Sequence, residues 1–214
     1  MDSSPFFELK HEVWSLAGQA YKAQLFAGTS GNLSVFDRDS GYMVITPTSV
    51  PYETMEPEDM VVMTLDGEIA EGRRQPSSEW RMHAVVYRKT PGVAAIVHTH
   101  SPYATAYAAA NKSIPCALIE MAMFIGGDVP VAGYATPGTA GVGENAVLAM
   151  GERRGCLLAN HGVLAVGRDL RQAYLSAVYI EDAARICAIA ERLGGVKELS
   201  EKDIEIMRAR GEGL

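Results

Sequence analysis

Three histidines and one glutamate have the residue types and spacing to hold a metal ion. His98 and His100 stand in the run Val97-His98-Thr99-His100. His161 stands in Ala159-Asn160-His161-Gly162, and Glu79 in Pro76-Ser77-Ser78-Glu79-Trp80. An apolar run leads into each histidine motif: Ala94-Ala95-Ile96-Val97 for the pair, Cys156-Leu157-Leu158-Ala159 for the third. Residues i and i+2 of a strand share a face, so His98 and His100 can reach one ion. Two hydrogen-bonded histidines at a strand end are the bland account of a bare His-x-His. His161 weighs towards metal, because three of the five histidines in the chain then fit one pattern. Three imidazoles leave the fourth position of tetrahedral zinc to water, substrate or a carboxylate, as in catalytic rather than closed structural sites. His11 is expected on the surface of a first helix. His83, one helical turn after Glu79, is expected to pack there.

Short polar breaks flank these residues. Gly28-Thr29-Ser30-Gly31-Asn32 and Thr46-Pro47-Thr48-Ser49 adjoin strand-like runs. Glycine allows close backbone approach to an anion, and Asn, Thr and Ser supply donors. Ordinary turn chemistry accounts for either segment taken alone. Ser77-Ser78-Glu79 suits a helix start, where hydroxyls and backbone N–H groups also bind phosphate. A carboxylate there, beside a metal, can move protons.

The elements that must position these groups follow from periodicity. Helices are expected over 6–26, from Ser77 or Ser78 to about Lys89, and over 102–110, 139–153, 170–193 and about 200–210. Strands are expected over 33–36, 43–46, 60–65 and 93–98, with a hairpin at Asp66-Gly67. A strand over 156–160 is expected to continue through 162–166, and 129–132 to be short and extended. The 114–124 segment is ambiguous between strand and helix. These elements imply one α/β domain of α+β type over 1–214, with a mixed or antiparallel sheet between helices.

The 214 residues carry a net charge of −7, with 48% hydrophobic and 21% charged residues. No basic stripe appears, which argues against nucleic acid as a partner. No run approaches the ~18 apolar residues of a membrane span, and the N-terminus shows no secretory pattern. Cys116, Cys156 and Cys187 are scattered and odd in number. They are expected as buried hydrophobes in a reducing, cytoplasmic setting.

Five motifs together resemble the class II aldolase/adducin family: Ser30-Gly31-Asn32-Leu33-Ser34, Ile45-Thr46-Pro47-Thr48, Pro76-Ser77-Ser78-Glu79, His98-Thr99-His100 and Asn160-His161-Gly162. Their order and spacing are most similar to L-fuculose-1-phosphate aldolases, over nearly the whole chain. The resemblance implies a central, mostly antiparallel sheet flanked by helices. It implies one Zn2+ per subunit on His98, His100 and His161, with Glu79 as acid/base and resting ligand. It implies a substrate phosphate held at Gly31, Asn32, Thr48, Ser49, Ser77 and Ser78. It also implies a cyclic homotetramer with active sites at subunit interfaces, acting on a phosphorylated ketose. The chain departs from the fuculose-phosphate pattern at Ser49, where glycine is usual, and at Glu120, which stands near the usual tyrosine proton donor. The tail also lacks a second tyrosine. Glu120 resembles rhamnulose-phosphate aldolases and methylthioribulose-phosphate dehydratases. A methylthioribulose-1-phosphate dehydratase or a sugar-acid phosphate decarboxylase is therefore the alternative. Ribulose-5-phosphate 4-epimerases place aspartate at the Glu79 position, and a non-catalytic adducin-like module would not require all four metal-site residues.

Overall fold

In a computed structural model, residues 4–211 are described; the extreme N-terminus and the last residues of the tail lie outside them. Helix α1 spans Phe7–Lys22 and is followed by strands β1 (Asn32–Asp37), β2 (Tyr42–Ile45), β3 (Val61–Thr64) and β4 (Ile69–Glu71). Helix α2 (Trp80–Lys89) leads to β5 (Ala95–Thr99), and α3 (Pro102–Ala109) follows directly. A π-helical turn at Met121–Ile125 precedes β6 (Val131–Ala132), α4 (Ala140–Met150), β7 (Gly155–Leu158) and β8 (Gly162–Gly167). Helices α5 (Leu170–Arg192) and α6 (Glu201–Gly211) end the described chain. No described helix is long and apolar enough to cross a membrane.

The strands form one sheet in the order β4-β3-β2-β1-β5-β8-β7-β6. All neighbours are antiparallel except β6 and β7. The fold class expected from sequence is the one found: a mostly antiparallel sheet between helices. Alternation along each strand divides the core into two layers. Leu33, Ala95, Val97, Val163 and Ala165 face α1, α3 and α5. Ile45, Ile96, Leu164 and Val166 face α2 and α4. Each fully buried aliphatic side chain contributes about 2 kcal/mol, and the polar cluster around His98 lies on the face turned to α2. Small residues on α5, namely Ala173, Ala177, Ala183 and Ala184, are fully buried and let the helix lie close on the sheet.

Three local features depart from the sequence reading. The 162–166 run does not continue its predecessor; β7 and β8 form a hairpin, with Leu158 opposite Gly162. Its three-residue turn places Asn160 in the left-handed region at φ 56, a conformation Asn tolerates. The α2 helix starts at Trp80, with Glu79 rather than Ser77 or Ser78 as its N-cap. The ambiguous 114–124 segment holds a bridge at Ile114 and then the π-helical turn.

That turn ends at Gly126, in the left-handed region, and its carbonyls are met by side chains. Arg154 donates to Met123 O and Phe124 O, Ser176 to Phe124 O, and Arg208 to Gly126 O. On α6, Gly211 rests on the Met123 backbone with no room for a Cβ. The three cysteines are buried and free, as expected.

Gly162 opens β8 against β5. A Cβ there would overlap the Thr99 carbonyl oxygen and crowd the His98 and His100 rings. Gly162→Ala is expected to destabilise the fold by about 3 kcal/mol, the upper range for overpacking against backbone. Urea unfolding should show a lower midpoint at unchanged slope; an unchanged midpoint would contradict the close approach.

Candidate metal centre

Strand pairing brings the histidines together. His98 lies in β5 opposite Asn32 of β1 and Leu164 of β8. His100 follows one residue after β5, so it stays on the same side. His161 sits in the β7–β8 turn, where its N–H donates to Leu158 O at 3.0 Å. The His98 Nε2 and His100 Nε2 atoms are 3.0 Å apart. The His161 ring centroid is 4.7 Å from that of His98 and 5.1 Å from that of His100. Glu79, at the head of α2, completes the group: Oε2 lies 2.9 Å from His98 Nε2 and Oε1 lies 3.3 Å from His161 Nε2. One ligand atom from each of the four residues falls within 4.8 Å of the others.

The donor set fits a cation. His98 Nδ1 lies 2.8 Å from the Val163 carbonyl oxygen. An oxygen there only accepts, so Nδ1 carries the hydrogen and, in the neutral ring, Nε2 turns its lone pair inward. His98 is fully buried. Burial, then the neighbouring His98 and His161, pushes His100 down to about 4. Burial, then His98, lowers His161 as well. Burial thus disfavours the charged form of both imidazoles, which favours lone pairs facing the centre. Burial opposes charging of Glu79, but His98, His161 and the Asn32 amide outweigh it and hold the carboxyl below its ordinary range. Glu79 Oε1 is buried without a hydrogen-bond partner. Lone pairs and a carboxylate converging in a buried space call for a positive ion. The cluster is able to bind a metal.

The polar breaks converge beside it. Thr46 N donates to Leu33 O, and the Thr46 hydroxyl accepts from Leu33 N. Thr48 N donates to Gln75 O, and Ser77 N to Thr46 O. Three distant segments, ending in Gly31-Asn32, Thr48-Ser49 and Ser77-Ser78, are thereby laid side by side. Ser77 is buried, whereas Ser49 and Ser78 are exposed. Ser49 has φ 58, a left-handed position that favours glycine. Gly31 is also left-handed at φ 78, and a Cβ there would strike the Phe26 ring. Glu120 is half-buried just before the π-helical turn and lies outside the four-residue group.

Sequence reasoning missed one part of the site. The Asn32 amide donates to Glu79 Oε2 at 3.1 Å. Its oxygen lies 2.6 Å from His83 Nε2, and His83 Nδ1 lies 2.6 Å from Ser34 Oγ. Ser34 Oγ lies 2.6 Å from the Tyr87 hydroxyl. Packing was the role expected of His83, and it is indeed fully buried. The spacing of Glu79, His83 and Tyr87, each four apart on one helix face, was the available signal.

The comparisons agree with this geometry. The family model for the class II aldolase and adducin N-terminal domain matches residues 11–188. A "5-deoxy-D-ribulose 1-phosphate aldolase" of Bacillus thuringiensis serovar kurstaki is 38% identical, over 95% of both chains. A "5-methylthioribulose-1-phosphate/5-deoxyribulose-1-phosphate aldolase" of Rhodospirillum rubrum is 40% identical, over 82% of this chain and 78% of its own. An "L-ribulose-5-phosphate 4-epimerase UlaF" of Salmonella paratyphi B is 36% identical, over 86% of this chain and 85% of its own. A solved "L-fuculose 1-phosphate aldolase" superposes with a TM-score of 0.92 at 37% identity, over 98% of both chains. The chain therefore belongs to the class II aldolase and adducin family, as a metal-dependent enzyme of the aldolase kind.

Proposed function

We propose that the protein is a zinc-dependent aldolase that reversibly cleaves a ketose 1-phosphate to dihydroxyacetone phosphate and an aldehyde. The observation that carries this reading is the convergence of three imidazoles and Glu79 beside three Ser/Thr/Asn-bearing segments. The first substrate to consider is 5-deoxyribulose 1-phosphate, for which the Bacillus and Rhodospirillum relatives are named.

His98, His100 and His161 would hold the ion, with Glu79 as the resting fourth ligand. Three imidazoles suit zinc among common divalent ions. A bound zinc ion supplies Lewis-acid stabilisation of negative charge on the substrate's oxygens. The hydroxyls of Thr48, Ser49, Ser77 and Ser78 and the Gly31-Asn32 turn would hold the phosphate, fixing the reacting carbons relative to Glu79. In cleavage the C4 hydroxyl loses its proton, the C3–C4 electron pair stays with C3, and Glu79 delivers a proton to C3. In synthesis Glu79 removes that proton. We assign the proton exchange at the C4 oxygen to Glu120. Because Glu120 stands outside the group in its own chain, it would serve a neighbouring subunit of a homotetramer. The Salmonella relative favours a second reading, epimerisation of a ketose 5-phosphate. Glu79 in place of aspartate weighs against it.

Three outcomes are expected. His98→Ala should lower bound zinc from about one per subunit to a small fraction, since a catalytic site has few ligands to spare; unchanged zinc by elemental analysis would remove His98 from the site. Glu79→Gln should keep the fold but lower kcat roughly 10²- to 10⁴-fold, the range for loss of a proton carrier. A panel of ketose 1-phosphates should release dihydroxyacetone phosphate, 5-deoxyribulose 1-phosphate among the best. Epimerisation of ribulose 5-phosphate, dehydration of methylthioribulose 1-phosphate or loss of carbon dioxide from a sugar-acid phosphate, without aldol cleavage, would refute the aldolase reading.

A further inference from the structure

We infer that His83 is the positioning residue for Glu79: acting through Asn32, it holds carboxylate oxygen Oε2 in place and so fixes how the carboxylate faces the metal centre. This rests on the reading of Glu79 as the acid/base.

The inference follows from the direction of four buried contacts. A carboxylate only accepts hydrogen bonds, so Asn32 must turn its NH2 group to Glu79 Oε2. The Asn32 oxygen then faces His83 Nε2, which must carry the hydrogen. His83 Nδ1 is left as an acceptor, so the Ser34 hydroxyl donates to it. Ser34 Oγ in turn accepts from the Tyr87 hydroxyl. Tyr87, Ser34, His83 and Asn32 are all buried, and a buried polar group left unpaired costs about 1–3 kcal/mol. Any reversed link would leave such a group or oppose two lone pairs. Every donor therefore points towards Glu79.

The imidazole is suited to this role. Burial pushes His83 down to about 3, so the ring stays neutral with one donor and one acceptor nitrogen. Without the His83 N–H, the Asn32 oxygen loses the donor that holds it, and the amide facing Glu79 Oε2 is anchored at one end only. The two carboxylate oxygens are consequently unequal. Oε2 receives the Asn32 amide and lies 2.9 Å from His98 Nε2, while Oε1 lies 3.3 Å from His161 Nε2 without a hydrogen bond.

The test uses the full-length, zinc-loaded protein and two variants. In His83→Gln the side-chain amide replaces the Nε2 donor. In His83→Asn it replaces Nδ1 and gives nothing to Asn32. We expect His83→Asn to lower kcat roughly 10- to 100-fold at unchanged KM and zinc content, with His83→Gln within about threefold of the parent, as for other outer-shell partners. Equal losses in both variants, or losses that follow the urea midpoint, would make His83 merely structural and overturn the inference. Long-range 1H–15N spectra of the parent at about pH 7 should show His83 with its hydrogen on Nε2; a hydrogen on Nδ1 would overturn it whether or not the variants fold. With cobalt in place of zinc, the visible spectrum should shift in His83→Asn and not in His83→Gln; a spectrum unchanged in both would count against it. Cleavage of 5-deoxyribulose 1-phosphate by the parent tests the aldolase reading separately, since the tautomer and the cobalt spectrum are read without turnover.

Discussion

His98 reaches Glu79 because β5 is locked in one register between β1 and β8. Side chains alternate across a sheet, so a slip of one residue would carry His98 to the opposite face. It would then point at α5, away from α2 and Glu79. The pairing of His98 with Asn32 on one side and Leu164 on the other excludes that slip. The same pairing sets the Val163 carbonyl against His98 Nδ1 and so turns the ring. Apolar residues on both faces of these strands enforce the register, since Val97 and Val163 face one layer and Ile96 and Leu164 the other. The polar centre is thus held by the packing of residues that never touch it.

Concentrating acceptors in a dry space carries a cost, and the structure meets it in two ways. The inward-facing nitrogens and Glu79 Oε1 have no donors of their own and suit a cation. Behind them, each polar atom has a partner. Asn32 and Ser34 come from one face of β1, and His83 and Tyr87 from one face of α2. Strand spacing of two and helix spacing of four interlock there. The outcome is a carboxylate whose two oxygens lie in different surroundings.

Much of this was legible in the residues. The His-x-His spacing reports a strand face directly, and the Asp66-Gly67 hairpin is where composition put it. The reversal at Asn160 was not, because apolar residues run on both sides of it and a single Asn is a weak turn signal. The α2 start was misplaced by one or two residues because the Ser77 hydroxyl accepts from Glu79 N rather than capping the helix that follows. The partners of His83 lie in a strand about fifty positions away. Helix periodicity put His83 on the right face, but a lone sequence carries no sign of which strand face would oppose it. The left-handed backbone at Ser49 is likewise visible only in three dimensions. Glycine would adopt that conformation without a Cβ penalty.

The π-helical turn beside Glu120 is braced by α5, by the start of β7 and by the last helix, through Ser176, Arg154, Arg208 and Gly211. The metal-site residues, in contrast, are mounted on strands and on the head of α2. The molecule therefore divides its labour along the chain. A change in the final helix is felt at Glu120 through the turn it splints, while the histidines stay where the sheet puts them. If Glu120 takes the role proposed for it, drift in the final helix retunes its side of the reaction and leaves the metal centre alone.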